Sequence, residues 1–335
     1  CIRDSIVSYG NGLFIYNPKE DELQHFSAAD KDPLFHSDFL LNIFIDRSGC
    51  IWICTGDGVY CCRELKDLYT EHVKIEPNTN REWSNYVRHI SNIGNDKLAV
   101  STRANRTYIY DTRTQQRTLE RQTDACVYDY AIDPQGKKWI STKGDGIYID
   151  NVRYSKYKKE HYAPGAAFYK TIFDKQGRAW IATWGEGLLI TPQTMGQQPR
   201  KFEQFLNADG KEAQIHDLLL DRKGRLWVCS NNGILMVNTA EKKITAQKFL
   251  RFSDENGKLP VSEINCGIEA HDGKLWFAAT GGVLKCSYDE KTRELEYELF
   301  DTSKGLTDNN TRSLEEDNYG NIWIGTEEGI SRSLI

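Results

Sequence analysis

Nine residues combine side chains suited to polar recognition with positions that no repeated pattern explains: Arg88, Tyr128, Asp129, Tyr169, Lys170, Trp184, His216, Asp217 and Arg312. Aromatic rings stack on the apolar faces of sugars, while cations and carboxylates bind hydroxyls or pair with uronates, so the mixture suits a carbohydrate or another polar ligand. Arg88 with Asp129 and Lys170 with Asp217 could equally pair with one another. Bond-making signatures are missing. The sequence has no G-x-S-x-G, no phosphate loop and no close carboxylate dyad. None of its nine cysteines falls in a C-x-x-C pair, and its seven histidines form no i, i+4 pair. No catalytic residue, metal or cofactor is expected.

The elements that position these residues are written in a repeat. Asp-x-x-Gly-x-x-Trp occurs at Asp46/Gly49/Trp52, Asp133/Gly136/Trp139, Asp174/Gly177/Trp180, Asp221/Gly224/Trp227 and Asp317/Gly320/Trp323. Two weaker copies complete the series: one with a shortened turn at Asp272 before Trp276, and one with Leu98 in the place of Trp. The spacing of 41 to 49 residues is that of a four-stranded propeller blade. An Asp can collect turn amides, Gly supplies positive φ, and Trp covers the gap to the next blade, so these residues are scaffold.

The expected fold is all-β, a seven-bladed β-propeller of four-stranded antiparallel blades in one domain over residues 1–335. Inner strands begin near 39, 85, 126, 167, 214, 263 and 310, and Lys243 to Phe249 reads as an outer strand. Residues 5–16 resemble two strands of a blade, and the outer strand Glu22 to Phe26 could complete the last blade. Eight incomplete blades is the alternative. Counting back from the turn acid, or its equivalent, puts Asn42, Arg88, Asp129, Lys170, Asp217, Cys266 and Ser313 at the start of the inner strands, where the channel mouth lies. Beside them fall Leu41, Val87, Tyr128, Tyr169, His216, Asn265 and Arg312. Structural positions repeat and these do not. Trp184, in the turn after Thr183, and Trp83, ahead of an inner strand, are aromatics without scaffold counterparts.

Composition agrees with a β protein that binds neither nucleic acid nor the bilayer core. Net charge is −5, and no run of 18 apolar residues could form a spanning helix. The one basic concentration, Lys137, Lys138, Lys143, Arg153, Lys156, Lys158 and Lys159, reads as an exposed outer strand, with an acidic glycan as the other reading. Cys54 and Cys229 occupy a slot filled elsewhere by Ser141, Ala182 or Gly325, which marks them as small buried hydrophobes.

The phrase D-x-x-G-x-x-W-I-x-T-x-x-G, clearest from Asp317 to Ile330, resembles the two-component regulator propeller repeat over residues 10 to 335. The resemblance implies a periplasmic sensor segment of a hybrid two-component histidine kinase of the Bacteroidetes type. Such a segment would recognise a polysaccharide-derived oligosaccharide and regulate glycan-utilisation genes without turnover. Implied partners are an adjacent propeller and an immunoglobulin-like domain of the same receptor; a homodimer is left open. The alternatives are a glycan-active enzyme of sialidase or lyase type, since propeller enzymes gather residues from separate blades, and a protein-interaction platform.

Overall fold

One carboxylate organises each turn of the repeat. In the computed structural model, Asp174 Oδ1 accepts the backbone N–H groups of Gln176 and Arg178 at 2.9 and 3.0 Å, and Oδ2 accepts the Trp180 indole N–H at 2.8 Å. Asp133 does the same for Gln135, Lys137 and Trp139 at 2.9, 2.8 and 3.0 Å. Asp221 and Asp317 hold Trp227 and Trp323 at 2.8 and 2.9 Å. The six-residue spacing from Asp to Trp is thus a geometric requirement, because one side chain shapes the turn and orients the aromatic. The Thr that follows also has a fixed partner: Thr142 and Thr183 donate to the carbonyls of Gly146 and Gly187, each at 2.6 Å.

The structure describes residues 5–8, 10–17, 22–31, 33, 36–45, 51–62, 70–76, 83–150, 152–153, 167–185, 187–191, 203–205, 214–317 and 320–333. Asp46 and Gly49, and Lys156, Lys158 and Lys159 of the basic stretch, lie outside them. Arg153 of that stretch sits on the outer strand Val152–Arg153 and pairs with Asp145.

The fold is all-β, of the seven-bladed β-propeller class. Each repeat forms an antiparallel sheet, with four strands in the first six and three described in the seventh. Inner strands are Leu40–Ile45, Val87–Gly94, Val127–Ile132, Ala167–Phe173, Ile215–Leu220, Ile264–Glu269 and Thr311–Glu316, all close to the expected starts. The chain divides into two compact units, Cys1–Tyr130 and Ala131–Ile335. In the first, Trp52 and Cys54 of one blade pack with Leu98 and Val100 of the next. In the second, Trp180 packs with Leu226 and Val228, and Trp227 with Leu275 and Phe277, so each of these Trp residues covers the following blade.

Four expectations are corrected. Glu22–Phe26 does not complete the seventh blade: it pairs with Gly12–Asn17, from Leu13 opposite Phe26 to Asn17 opposite Glu22, within a separate sheet that includes Ser5–Ser8. A short local connection closes this hairpin at far lower entropic cost than a junction across the sequence. Next, the outer strand of the fifth blade is Leu250–Phe252, preceded by a 3-10 turn at Ala246–Lys248. The apolar pattern over Lys243 to Phe249 arises because Ile244 and Phe249 pack into the neighbouring core.

Third, Leu98 does not replace Trp. The second repeat turns through Asn95 and Asp96 at φ 52° and 57°, the two-residue hairpin geometry of a type I′ turn. Its register pairs Ser91 with Ala99, as the fifth pairs Leu219 with Trp227, so Ala99 holds the Trp position and Leu98 faces the preceding blade.

Fourth, the turn before Trp276 is not shortened. Gly273 N–H reaches Ala270 O at 2.9 Å, as Gly224 N–H reaches Asp221 O, so Ala270 stands where the acid belongs. Asp272 takes over one amide, that of Lys274 at 2.8 Å, but the buried Trp276 indole N–H has no partner. An unsatisfied buried donor costs about 1–3 kcal/mol. Ala270→Asp is therefore expected to raise the urea midpoint, with a gain of about 1 kcal/mol. An unchanged or lower midpoint would contradict this account of the carboxylate.

Candidate functional site

A β-bulge interrupts the start of six inner strands at equivalent places. The register skips one residue between Leu40 and Asn42, Val87 and His89, Phe168 and Lys170, Ile215 and Asp217, Ile264 and Cys266, and Thr311 and Ser313. The extra residues are Leu41, Arg88, Tyr169, His216, Asn265 and Arg312. A bulge leaves its extra residue out of the ladder and re-aims its side chain. The backbone irregularity repeats while the residue it presents does not, which separates display from scaffold. Arg88 belongs to this series because the second repeat is offset by one residue, so His89 corresponds to Lys170 and Asp217.

A second displayed position faces the first. In the turn after the second strand of a blade, the backbone N–H groups of Gly56, Arg103, Asn231, Thr280 and Glu327 donate to the carbonyls of Phe39, Tyr86, Gln214, Glu263 and Asn310. These bonds span 2.9 to 3.1 Å. Trp184 occupies the same slot after Thr183. The backbone is pinned beside the inner strand and the side chain is left to vary.

In the unit Ala131–Ile335 these positions form a continuous row. Tyr169 and Trp184 have ring centroids 5.8 Å apart, and Trp184 stacks on His216 at 5.5 Å and 23°. Trp184 remains 43% exposed, so part of its ring is open to a ligand. Lys170 Nζ lies 2.5 Å from Asp217 Oδ1, and Asp217 Oδ2 accepts Gly267 N–H at 3.2 Å. Gly267 cannot carry a side chain, since a Cβ would meet the Phe277 ring at 2.8 Å. Farther along, Asn265 donates to Thr311 O at 2.7 Å, and Arg312 pairs with Glu327 and approaches Asn265 Oδ1 at 3.5 Å.

His216 is the chemically distinct member. Its Nδ1 lies 3.0 Å from the Ile264 carbonyl, which fixes the proton there and leaves Nε2 as a lone-pair acceptor. Nε2 is buried without a hydrogen-bond partner. Burial lowers the imidazole pKa, reinforced by Arg312 and opposed by the Ile264 carbonyl, Glu263 and Asp217. The unfolded chain therefore binds a proton more readily than the folded one. The stability held by neutral His216 is complete above the ordinary histidine value of about 6.5 and is lost as pH falls toward the depressed folded value. The melting temperature of the wild type relative to His216→Gln should fall between pH 7 and pH 5. A difference that does not change with pH would remove the buried neutral histidine.

In the unit Cys1–Tyr130, Arg88 and Tyr128 meet as a cation over a ring, 4.7 Å from guanidinium carbon to centroid. Asp129, which could have paired with Arg88, lies beside His89. His89 Nε2 lies 3.7 Å from Asp129 Oδ1 and donates to Ser91 Oγ at 2.6 Å, and Ser91 donates to Tyr130 O. The one-residue offset explains the exchange. Arg103 stacks on Trp83 and Tyr86 at 4.4 and 5.0 Å. His89, Arg103 and Glu327 were not among the expected site residues. For Arg103 and Glu327 the usable signal is their position directly after the hydroxyl residue of the repeated phrase, the slot that singled out Trp184.

Cys54, Cys126, Cys229, Cys266 and Cys286 are free thiols. Burial raises the thiol pKa of Cys54, Cys229, Cys266 and Cys286, in Cys266 to about 12, so these behave as unreactive apolar groups. Among the described residues, no group of three or more His, Cys, Asp or Glu is placed to hold a metal, and no helix is long and apolar enough to cross a membrane.

Residues 305–328 match the family described as two component regulator propeller, so the seventh blade carries a repeat of that family. No curated protein matches the chain. Virginiamycin B lyase from Staphylococcus aureus, in a structure with quinupristin, is 14% identical with a TM-score of 0.60, covering 88% of this chain and 95% of that one. The computationally designed Ika8 protein is 11% identical with a TM-score of 0.64, covering 99% and 94%. At these identities the likeness is one of fold. The extracellular domain of a putative hybrid two component system from B. thetaiotaomicron is 15% identical with a TM-score of 0.43 over 98% of this chain. This chain spans 55% of the length of that domain.

Proposed function

With a two-component regulator propeller repeat in the seventh blade as premise, we propose that residues 1–335 form one ligand-sensing propeller of a hybrid two-component histidine kinase. Its place is the periplasm, beside a further propeller and an immunoglobulin-like domain of the same receptor. Its ligand is an oligosaccharide released from a polysaccharide. The observation that carries the reading is the row Tyr169, Trp184 and His216, an aromatic stack whose central ring is 43% exposed. A sugar presents the complement, C–H faces that pack on the rings. Lys170 with Asp217 and Arg312 with Glu327 continue the row with groups that bind hydroxyls or a uronate. Arg88, Tyr128 and Asp129 supply the same chemistry in the first unit.

A second reading, a glycan-active lyase, is favoured by one feature: His216 keeps a ring nitrogen without a hydrogen-bond partner in the row, the kind of group that acts as a general base. The two readings part on turnover. Incubation with polysaccharide-derived oligosaccharides should raise the melting temperature and release no new reducing ends or unsaturated products. Product accumulation abolished in His216→Gln would instead establish the lyase.

A further inference from the structure

The turn carboxylates of the fourth and fifth blades each hold an arginine four residues on, and the two arginines end differently. Arg178 bonds Asp174 through Nε at 2.7 Å, and its two terminal nitrogens donate to the carbonyls of Glu241 and Thr239. Its donors are engaged on every side. Arg225 likewise bonds Asp221 through Nε at 2.6 Å and lies over the Trp227 and Tyr288 rings at 5.5 and 5.1 Å. Beyond that, among the described residues Nη1 has only Glu290 Oε1 at 3.5 Å, and Nη2 makes no hydrogen bond. Arg225 is nevertheless 7% exposed. It is a buried guanidinium with an unused edge.

That edge lines a groove of about 550 Å³ between the fifth and sixth blades, within the size range of small-ligand sites. The groove lies where the first and second strands of a blade join, at the opposite end of the inner strands from the bulges. Lys223, Lys248 and Arg293 surround it, and Leu250, Met236 and Tyr288 supply an apolar wall. Two carboxylates oppose them: Glu290, reached by Lys223 at 3.2 Å, and Glu241, paired with Lys248 at 3.1 Å. Both are on exposed, displaceable side chains. The Arg293 side chain makes no ion pair or hydrogen bond among the described residues. Four cations against the exposed Glu290 and Glu241 and the buried Asp221 leave the groove with one excess positive charge in a chain whose net charge is −5.

We propose that this groove is a binding site for a small oxyanion-bearing molecule. The anion pairs with the free edge of Arg225 in place of Glu290, Lys248 and Arg293 close over it, and the body of the ligand rests on Tyr288 and Leu250. Arginine suits this role because its planar fork meets two oxygens at once. The site is independent of the row at Trp184 and of the sensory reading.

Calorimetric titration of the whole chain with D-glucuronate, inorganic phosphate and D-glucose tests it. Glucuronate or phosphate should bind saturably and glucose should not, and the anion that binds identifies the oxyanion as sugar carboxylate or phosphate. Lys248→Gln with Arg293→Asn should weaken binding at least fivefold; Asn is chosen because Arg293 has φ 60° and Asn tolerates that backbone. Glu290→Gln should tighten it at least threefold, since it removes the internal competitor. These three positions are exposed, so folding is preserved. No saturable heat up to about 10 mM of either anion, well above a millimolar dissociation constant, would overturn the proposal. Heats indifferent to these substitutions would overturn it as well.

Discussion

Asp174→Ala is expected to cost about 3–5 kcal/mol of stability, the penalty for stranding a buried charge. The side chain gathers four donors: the Gln176 and Arg178 amides, the Trp180 indole and Arg178 Nε. Three losses coincide on its removal. Two turn amides give up their acceptor, a fully buried indole becomes unsatisfied, and the Arg178 guanidinium, 5% exposed, loses its neutralising charge. Backbone carbonyls of Thr239 and Glu241 still accept from Arg178, yet they carry no compensating charge. Asp317→Ala separates the contributions. Asp317 serves the Trp323 indole and the Asn321 amide and side chain, with Asn321 where Asp174 has Arg178. Its loss should cost less, about 1–3 kcal/mol. Urea midpoints at one pH measure both. Equal losses would show that the buried arginine contributes nothing beyond the turn.

Trp184→Ala is expected to abolish the thermal stabilisation given by a cognate oligosaccharide while leaving the ligand-free melting temperature within experimental error. Trp184 lies between Tyr169 and His216, so its removal deletes the central surface of the stack and opens the gap between its neighbours. A central aromatic of this kind carries about 2 kcal/mol, roughly a thirtyfold loss of affinity. The scaffold does not depend on it, because its side chain is 43% exposed and lies outside the packed clusters. Tyr169→Ala should weaken the response less, having one ring neighbour in the row. Equal thermal shifts in Trp184→Ala and the wild type would remove the row as the recognition site.

Much of the scaffold was legible because it is local. Asp, Gly, Trp and the following Thr make their defining bonds within six residues of one another, so spacing alone reports them, and the inner strands fall near their expected starts. Errors arose where a copy kept its length but lost its turn acid. In the second repeat Ile93 stands in the acid's place, six residues before Ala99, so counting from Asn92 put Leu98 at the Trp position and Arg88 where His89 stands beside Asp129. Ala270 was overlooked because Asp272 offers a carboxylate two residues away.

The sequence by itself determined the blade: its length, its turns, the aromatic that covers the next sheet and the seven copies. Each follows from hydrogen bonds and burial within one repeat, and repetition amplifies that signal. The tertiary structure alone decided which variable residues work together. Tyr169, Trp184 and His216 meet because a bulge in two inner strands and a pinned turn between them present side chains from different blades to one another. Likewise, Arg178 is saturated and Arg225 is not, although both occupy the same place in the repeat. What distinguishes them is the backbone of a neighbouring blade, some sixty residues away, which no local pattern encodes.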